Sequence, residues 1–200
     1  MKKSIYLVII SIIISSCSIN KQIDQAKAFE KCKYSIISAD SLYVANVDVS
    51  QALKSKNFDV IKSPRILLAL LRKNVPFEGK VNLQIKNPSS AVAAIRQFEY
   101  KLLIKDQELA NGFINQTIQV EPGGGETVVP IKINANIYNF ISNRETQDAI
   151  LNFLSNDGSS SEKKSILTIK IRPTLGVGNK EIKYPGYITI NKEITRSILL

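Results

Sequence analysis

Apolar and polar residues alternate most strictly over residues 81–86, where Val81, Leu83 and Ile85 take one side and Asn82, Gln84 and Lys86 the other. That period of two marks a strand with one dry face. It recurs over residues 98–105, with Phe98, Tyr100, Leu102 and Ile104 together, and over 127–134, with Thr127, Val129, Ile131 and Ile133 together. It returns over 165–172, where Leu167, Ile169 and Ile171 oppose Ile166. Shorter runs rich in branched and aromatic residues predict strands at 33–38, 41–49, 108–113 and 117–120, and a last one over 181–190 kinked at Pro185-Gly186. Turn-forming residues separate them: Ala39-Asp40-Ser41, Asn87-Pro88-Ser89-Ser90, Asp106-Gln107, Glu121-Pro122-Gly123-Gly124-Gly125, and a loop over 173–179. Pro130 confines its segment to an edge or a bulge, and Gly112 inside a strand implies a bulge or a close backbone approach.

Two stretches carry a helical period instead. Ser63 stands where an N-cap belongs, Pro64 takes the first helical position, and Arg72 and Lys73 are expected in the last turn. Ile66, Leu67, Leu70 and Leu71 share one face, with Leu68 as an excess apolar residue. A second helix is predicted near residues 144–154, with Ala149, Ile150, Phe153 and Leu154 as its apolar face, before a loop over 155–161. Seven or eight short strands with two inserted helices form the pattern of a mainly β chain folded as an antiparallel β-sandwich.

The first residues follow another logic. Lys2 and Lys3 precede the apolar run over residues 5–14, which is shorter than the roughly 20 residues a membrane-crossing helix needs. Ile14-Ser15-Ser16-Cys17 then resembles a bacterial lipobox, in which a branched residue and two small ones precede an acylated cysteine. The expected organisation is a lipoprotein signal peptide over 1–16, a lipidated (palmitate-bearing) Cys17 with a polar tether over 17–28, and one domain over 29–200. Ser18 resembles the residue that directs lipoproteins onward to the outer membrane, and no acidic run follows Cys17. In a host with two membranes this predicts an outer-membrane anchor facing the periplasm.

Charge changes the picture little. The 200-residue chain has a formal charge of +10, and loss of Lys2 and Lys3 leaves 25 basic against 17 acidic side chains. The basic residues are scattered, with only short clusters such as Lys163-Lys164 and Arg72-Lys73. A solvated surface, an anionic lipid or an acidic envelope partner fits this pattern better than nucleic acid. With Cys17 committed to lipid, Cys32 has no partner, so a core and not disulfides must stabilise the fold; Cys32 itself reads as a half-buried strand residue.

Histidine is absent, which removes Ser-His-Asp and Cys-His catalysis and histidine-bearing zinc sites. The triple glycine ends in neither Lys-Ser nor Lys-Thr and opens no helix, so it is a turn and not a phosphate loop. Asp40, Asp48, Asp106 and Glu126 fall mostly in turns, and Tyr184 and Tyr187 near strand ends suit packing better than sugar stacking. No cofactor, no metal ligand set and no catalytic group is therefore expected.

The stretch from Val81 to Asn136 resembles the late-embryogenesis-abundant type 2 family, also called the water-stress and hypersensitive-response domain. The resemblance is carried in order by Val81-Asn82-Leu83-Gln84-Ile85-Lys86-Asn87-Pro88, Phe98-Glu99-Tyr100-Lys101-Leu102, Leu109-Ala110-Asn111-Gly112 and Thr127-Val128-Val129-Pro130-Ile131. It implies an immunoglobulin-like or fibronectin-type antiparallel β-sandwich, here with two short helical insertions, and no cofactor or catalytic set.

The expected function is a non-enzymatic, membrane-anchored envelope lipoprotein that acts as a structural or protein-interaction module. The alternative is a tethered carrier of a lipid or another hydrophobic ligand. In that case the face formed by Leu67, Leu70, Leu71, Ile150 and Phe153 either gates a ligand or plugs the core.

Overall fold

The alternating runs become strands, and every pairing among the described residues is antiparallel. A computed structural model describes residues 21–55, 62–145, 166–177 and 180–193. Residues 21–30 form helix α1. Strands β1 (Lys33–Val44) and β2 (Val47–Asp48) follow, then helices α2 (Ser50–Ser55) and α3 (Pro64–Leu71). Next come β3 (Pro76–Asn87), β4 (Ala93–Ile95), β5 (Gln97–Ile104), β6 (Gln107–Ile114), β7 (Ile118–Val120) and β8 (Gly125–Asn136). Helix α4 (Tyr138–Ser142) precedes β9 (Ile166–Val177), β10 (Lys180–Lys183) and β11 (Ile188–Glu193).

One sheet runs β2-β1-β3-β8 and the other β10-β9-β5-β6, with β11 also paired to β9; β4 and β7 pair by themselves. The two larger sheets press together the faces that the alternation marks. Leu83 and Ile85 of β3 and Val129 and Ile131 of β8 share a core with Phe98 of β5 and Ile169 and Ile171 of β9. Each such buried side chain contributes about 1.5–3 kcal/mol relative to exposure. Pro130 pairs with Asn82 from the edge strand β8, where a missing N–H costs no ladder bond.

Gly112 stands opposite Tyr100, and a Cβ on it would lie 2.6 Å from the Tyr100 hydroxyl oxygen. The bare backbone lets the ring lie across β6 and donate its hydroxyl to the Lys132 carbonyl of the facing sheet at 2.8 Å. The close approach expected at this glycine is therefore an inter-sheet strut.

Several local expectations are corrected. Residues 39–41 are not a turn: β1 runs through them with a register shift between Asp40 and Tyr43, and the chain reverses at Ala45-Asn46 instead. The reversal after β5 falls at Lys105-Asp106, one residue early, with both in the left-handed region. Pro173 does not end its strand, because β9 continues to Val177 and Pro173 pairs with Phe98. Residues 180–190 hold two strands, both laid against β9.

The polar stretch read as a tether through residue 28 is helical from 21, and Ala28 and Phe29 enter the core. Cys32 is buried and lies just before β1; its thiol donates to the Ala28 carbonyl at 3.4 Å. Helices α1, α2 and α4 were not legible in advance. Of the second predicted helix only Arg144 and Glu145 are described, both helical.

The sandwich has two distinct ends. At the near end lie α1, the β4–β7 pair and the Gly123-Gly124 turn; at the far end lie α3 and α4, beside the other termini of β3 and β8. The 12 residues of β3 separate them by about 40 Å at the usual rise per strand residue.

Candidate functional site

The far end is built on a second apolar cluster. Ile66 and Ala69 of α3 pack with Ala45, Val75, Ile137 and Phe140, and Leu70 adds a partly buried side chain. Backbone bonds fix the seat: Ala45 N–H donates to the Pro76 carbonyl at 2.7 Å and Ile137 N–H to the Val75 carbonyl at 2.9 Å. Asn136 Oδ1 accepts from Val75 N–H at 2.9 Å and Tyr138 N–H at 3.1 Å, tying α4 to the start of β3.

Helix α3 begins as expected at Pro64, but the Ser63 side chain makes no capping bond. The Ser63 carbonyl does the work, accepting from Ile66 and Leu67 N–H. The helix ends at Leu71, so Arg72 caps it and Lys73 lies beyond it, not in the last turn. Lys73 N–H donates to Leu70 and Asn74 N–H to Ala69, while Lys73 adopts φ 54°. This is the Schellman stop, with lysine where glycine is favoured.

The face expected to act as one unit is split by this seating. Ile66 and Ala69, three residues apart, point into the cluster and Leu70 follows them. Leu67 and Leu71 turn outward with Leu68, at 49, 83 and 45% exposure respectively. These three fall at spacings of three and four, so they lie together on the outer face. Exposed Arg65, Arg72 and Lys73 surround them. Ala69 was missed as a contact because it is small, and smallness is what lets α3 sit close. Of the other singled-out residues, Cys17, Ile150 and Phe153 lie outside the described residues.

The remaining candidates have structural duties. Asp40 pairs with Lys80 at 2.9 Å, Asp48 accepts from Ser50 N–H at 2.8 Å, and Glu126 pairs with Lys86 at 2.6 Å. Asp106 sits in the β5–β6 reversal. Burial pushes the Cys32 thiol up to about 11, away from the thiolate a nucleophile needs. Tyr184 hydrogen-bonds Glu30, and Tyr187 lies under the Arg172 guanidinium at 5.1 Å.

A charged cluster on the outer face of the second sheet escaped the sequence reading. Lys183 and Arg172 both bond Glu99, and together they hold its carboxyl below the usual range. Only strand pairing brings these three together, across more than seventy residues of chain. Among the described residues no group of three or more Cys, Asp or Glu is placed to hold a metal ion. No described helix is long and apolar enough to cross a membrane.

No family model and no curated protein matches the chain. Solved structures similar to it include a protein from Archaeoglobus fulgidus, at 16% identity and TM-score 0.35, over 60% of this chain and 85% of that one. A candidate late embryogenesis abundant (LEA) protein is similar at 15% identity and TM-score 0.34, over 90% of this chain and 85% of the other. A FixG-related protein from Vibrio parahaemolyticus is similar at 17% identity and TM-score 0.26, over 82% and 97%. A LEA-like protein thus stands among the structural neighbours. The sandwich is established by the strand pairing and not by these similarities.

Proposed function

We propose that the chain is a non-enzymatic envelope lipoprotein of late-embryogenesis-abundant type 2 character, anchored through Cys17 and acting as a protein-interaction module. The observation that carries this reading is the outer face of α3. Leu67, Leu68 and Leu71 form an exposed apolar patch rimmed by basic side chains, at the end of the sandwich remote from the N-terminal segment. Apolar surface of this kind, ringed by charge, is characteristic of contact sites. With Cys17 only four residues before α1, an anchor there holds the near end at the membrane and presents the leucines about 40 Å away.

The experiment places a photo-crosslinking residue at position 71 or, as control, at position 128 on the outer face of β8. The reading expects one stoichiometric envelope adduct from position 71 only, lost when Leu67 and Leu68 become serine. Equal background labelling at both positions contradicts it. The carrier alternative predicts instead that the purified protein retains a phospholipid or fatty acid in native mass spectrometry, and that the leucine changes abolish it.

A further inference from the structure

The near end holds a feature the α3 reading does not use. Between the first turns of α1, the β4–β7 pair and the end of β9 lies an open cleft of about 190 Å³, lined by Gln22, Gln25, Arg96, Thr117, Gln119 and Gly176 among others. Arg96 crosses its wall in an unusual way. Its side chain lies flat over Gly176, so close that a Cβ on Gly176 would stand 2.8 Å from Cζ and nearer still to Nε. The strand has no side chain at the one place where the guanidinium passes. Its position is therefore fixed by packing and not by ion pairing: the Glu181 carboxylate stands 4.0 Å from Nη1, too far for a hydrogen bond, and both side chains are about half exposed. A pair of that length and exposure contributes little to holding either side chain. Glu181 also accepts from Gln97 at 3.1 Å, which draws it toward β5.

We infer that this cleft binds an oxyanion, a phosphate group, through Arg96. A guanidinium offers a planar fork of donors that matches phosphate oxygens two at a time. Thr117 and Gln25, which also line the cleft, carry neutral donor groups. The volume is below the roughly 300–1,000 Å³ typical of sites that enclose a whole organic ligand, so the cleft suits a headgroup-sized anion. Its place next to α1 makes a phospholipid headgroup one source of that phosphate, and free phosphate is the other. The site does not depend on the proposed role of α3.

The test uses the full chain in a neutral detergent and follows the Arg96 Nε–H resonance while inorganic phosphate is added. The same signal is then read on vesicles of phosphatidylglycerol against phosphatidylcholine. A saturable shift with inorganic phosphate identifies a free-phosphate site, and a shift confined to phosphatidylglycerol identifies a headgroup site. In either case Arg96→Gln weakens binding about tenfold or more, the loss of one charge-assisted bidentate contact. Gly176→Ala, which leaves the charge intact but displaces the guanidinium, weakens it comparably. Glu181→Gln removes the competing carboxylate and strengthens binding, whereas Lys86→Gln, at the same end but paired with Glu126, leaves it within about twofold. Absence of any shift with both probes overturns the inference, as does binding that survives Arg96→Gln unchanged.

Discussion

The two ends of the sandwich are closed in opposite ways. At the near end one buried polar side chain ties the pieces together. Asn87 Nδ2 donates to the Ala91 and Val120 carbonyls at 2.8 and 3.0 Å, and Oδ1 accepts from the Ser89 backbone and hydroxyl at 3.0 and 2.7 Å. All four hydrogen-bonding positions of the amide are used. The Asn87 carbonyl takes Gly124 N–H as well, so the triple glycine is docked on the Asn-Pro turn. At the far end closure is mainly apolar, through Ile66, Ala69, Val75 and Phe140, with Asn136 as a smaller polar tie between Val75 and Tyr138, and α3 brings more leucines than that seat can cover. At the near end Ile23 of α1 is left 38% exposed, whereas at the far end α3 leaves three leucines exposed together, and that larger surplus is the surface the proposed interaction would use.

The sharpest way to break this contrast is at its polar hub. Asn87→Leu strands several buried partners at once and is expected to cost about 3 kcal/mol or more in urea unfolding. A cost below 1 kcal/mol would mean the near end is held by α1 and not by Asn87. Midway between the ends, Gly112→Ala is expected to cost about 2 kcal/mol, because the new Cβ must displace the Tyr100 ring. Tyr100→Phe, which loses only the bond to Lys132, costs about 1 kcal/mol. If the two changes cost the same, the ring has room to move and the strut is not rigid.

At the far end a substitution should help. Lys73→Gly relieves a left-handed lysine at the end of α3 and is expected to stabilise by up to about 1 kcal/mol, read as a raised urea midpoint. The smallest effect concerns pH. Lys183 and Arg172 lower the folded-state value of Glu99 from its ordinary 4.5, so its contribution is present above that value and fades as the pH falls through the lowered one. Glu99→Gln is therefore expected to lower stability slightly at pH 7 and to converge with the parent as the pH falls below the lowered value, which flattens the acid limb below about pH 4.5. An unchanged acid limb would show that this cluster is screened by solvent.

Much of the sandwich was legible because strands with one dry face write their burial directly into the period of two. Val81, Leu83, Ile85, Val129, Ile131, Ile169 and Ile171 are all buried as the alternation says. The edge position of Pro130 and the close approach at Gly112 were legible for equally local reasons. What was missed depends on tertiary context. Residues 21–27 carry little helical period, yet form a helix whose end is held by Phe29 in the core and by the edge contact of Phe29 with Tyr34. The split of α3 could not be read from its leucines, because the small Ala69 decides which side faces inward. The Glu99 cluster and the Arg96 cleft join residues that only strand pairing brings together.

The central claim is that the α3 leucines are surface and not core. Equilibrium urea unfolding of a variant with Leu67, Leu68 and Leu71 all changed to serine tests it most directly. A stability within about 1.5 kcal/mol of the parent is expected, since each of three exposed substitutions has an effect of about 0.5 kcal/mol or less. A loss of about 3 kcal/mol or more would show that these side chains are covered in the folded protein and plug its core, and the far end would then have no free apolar face to offer.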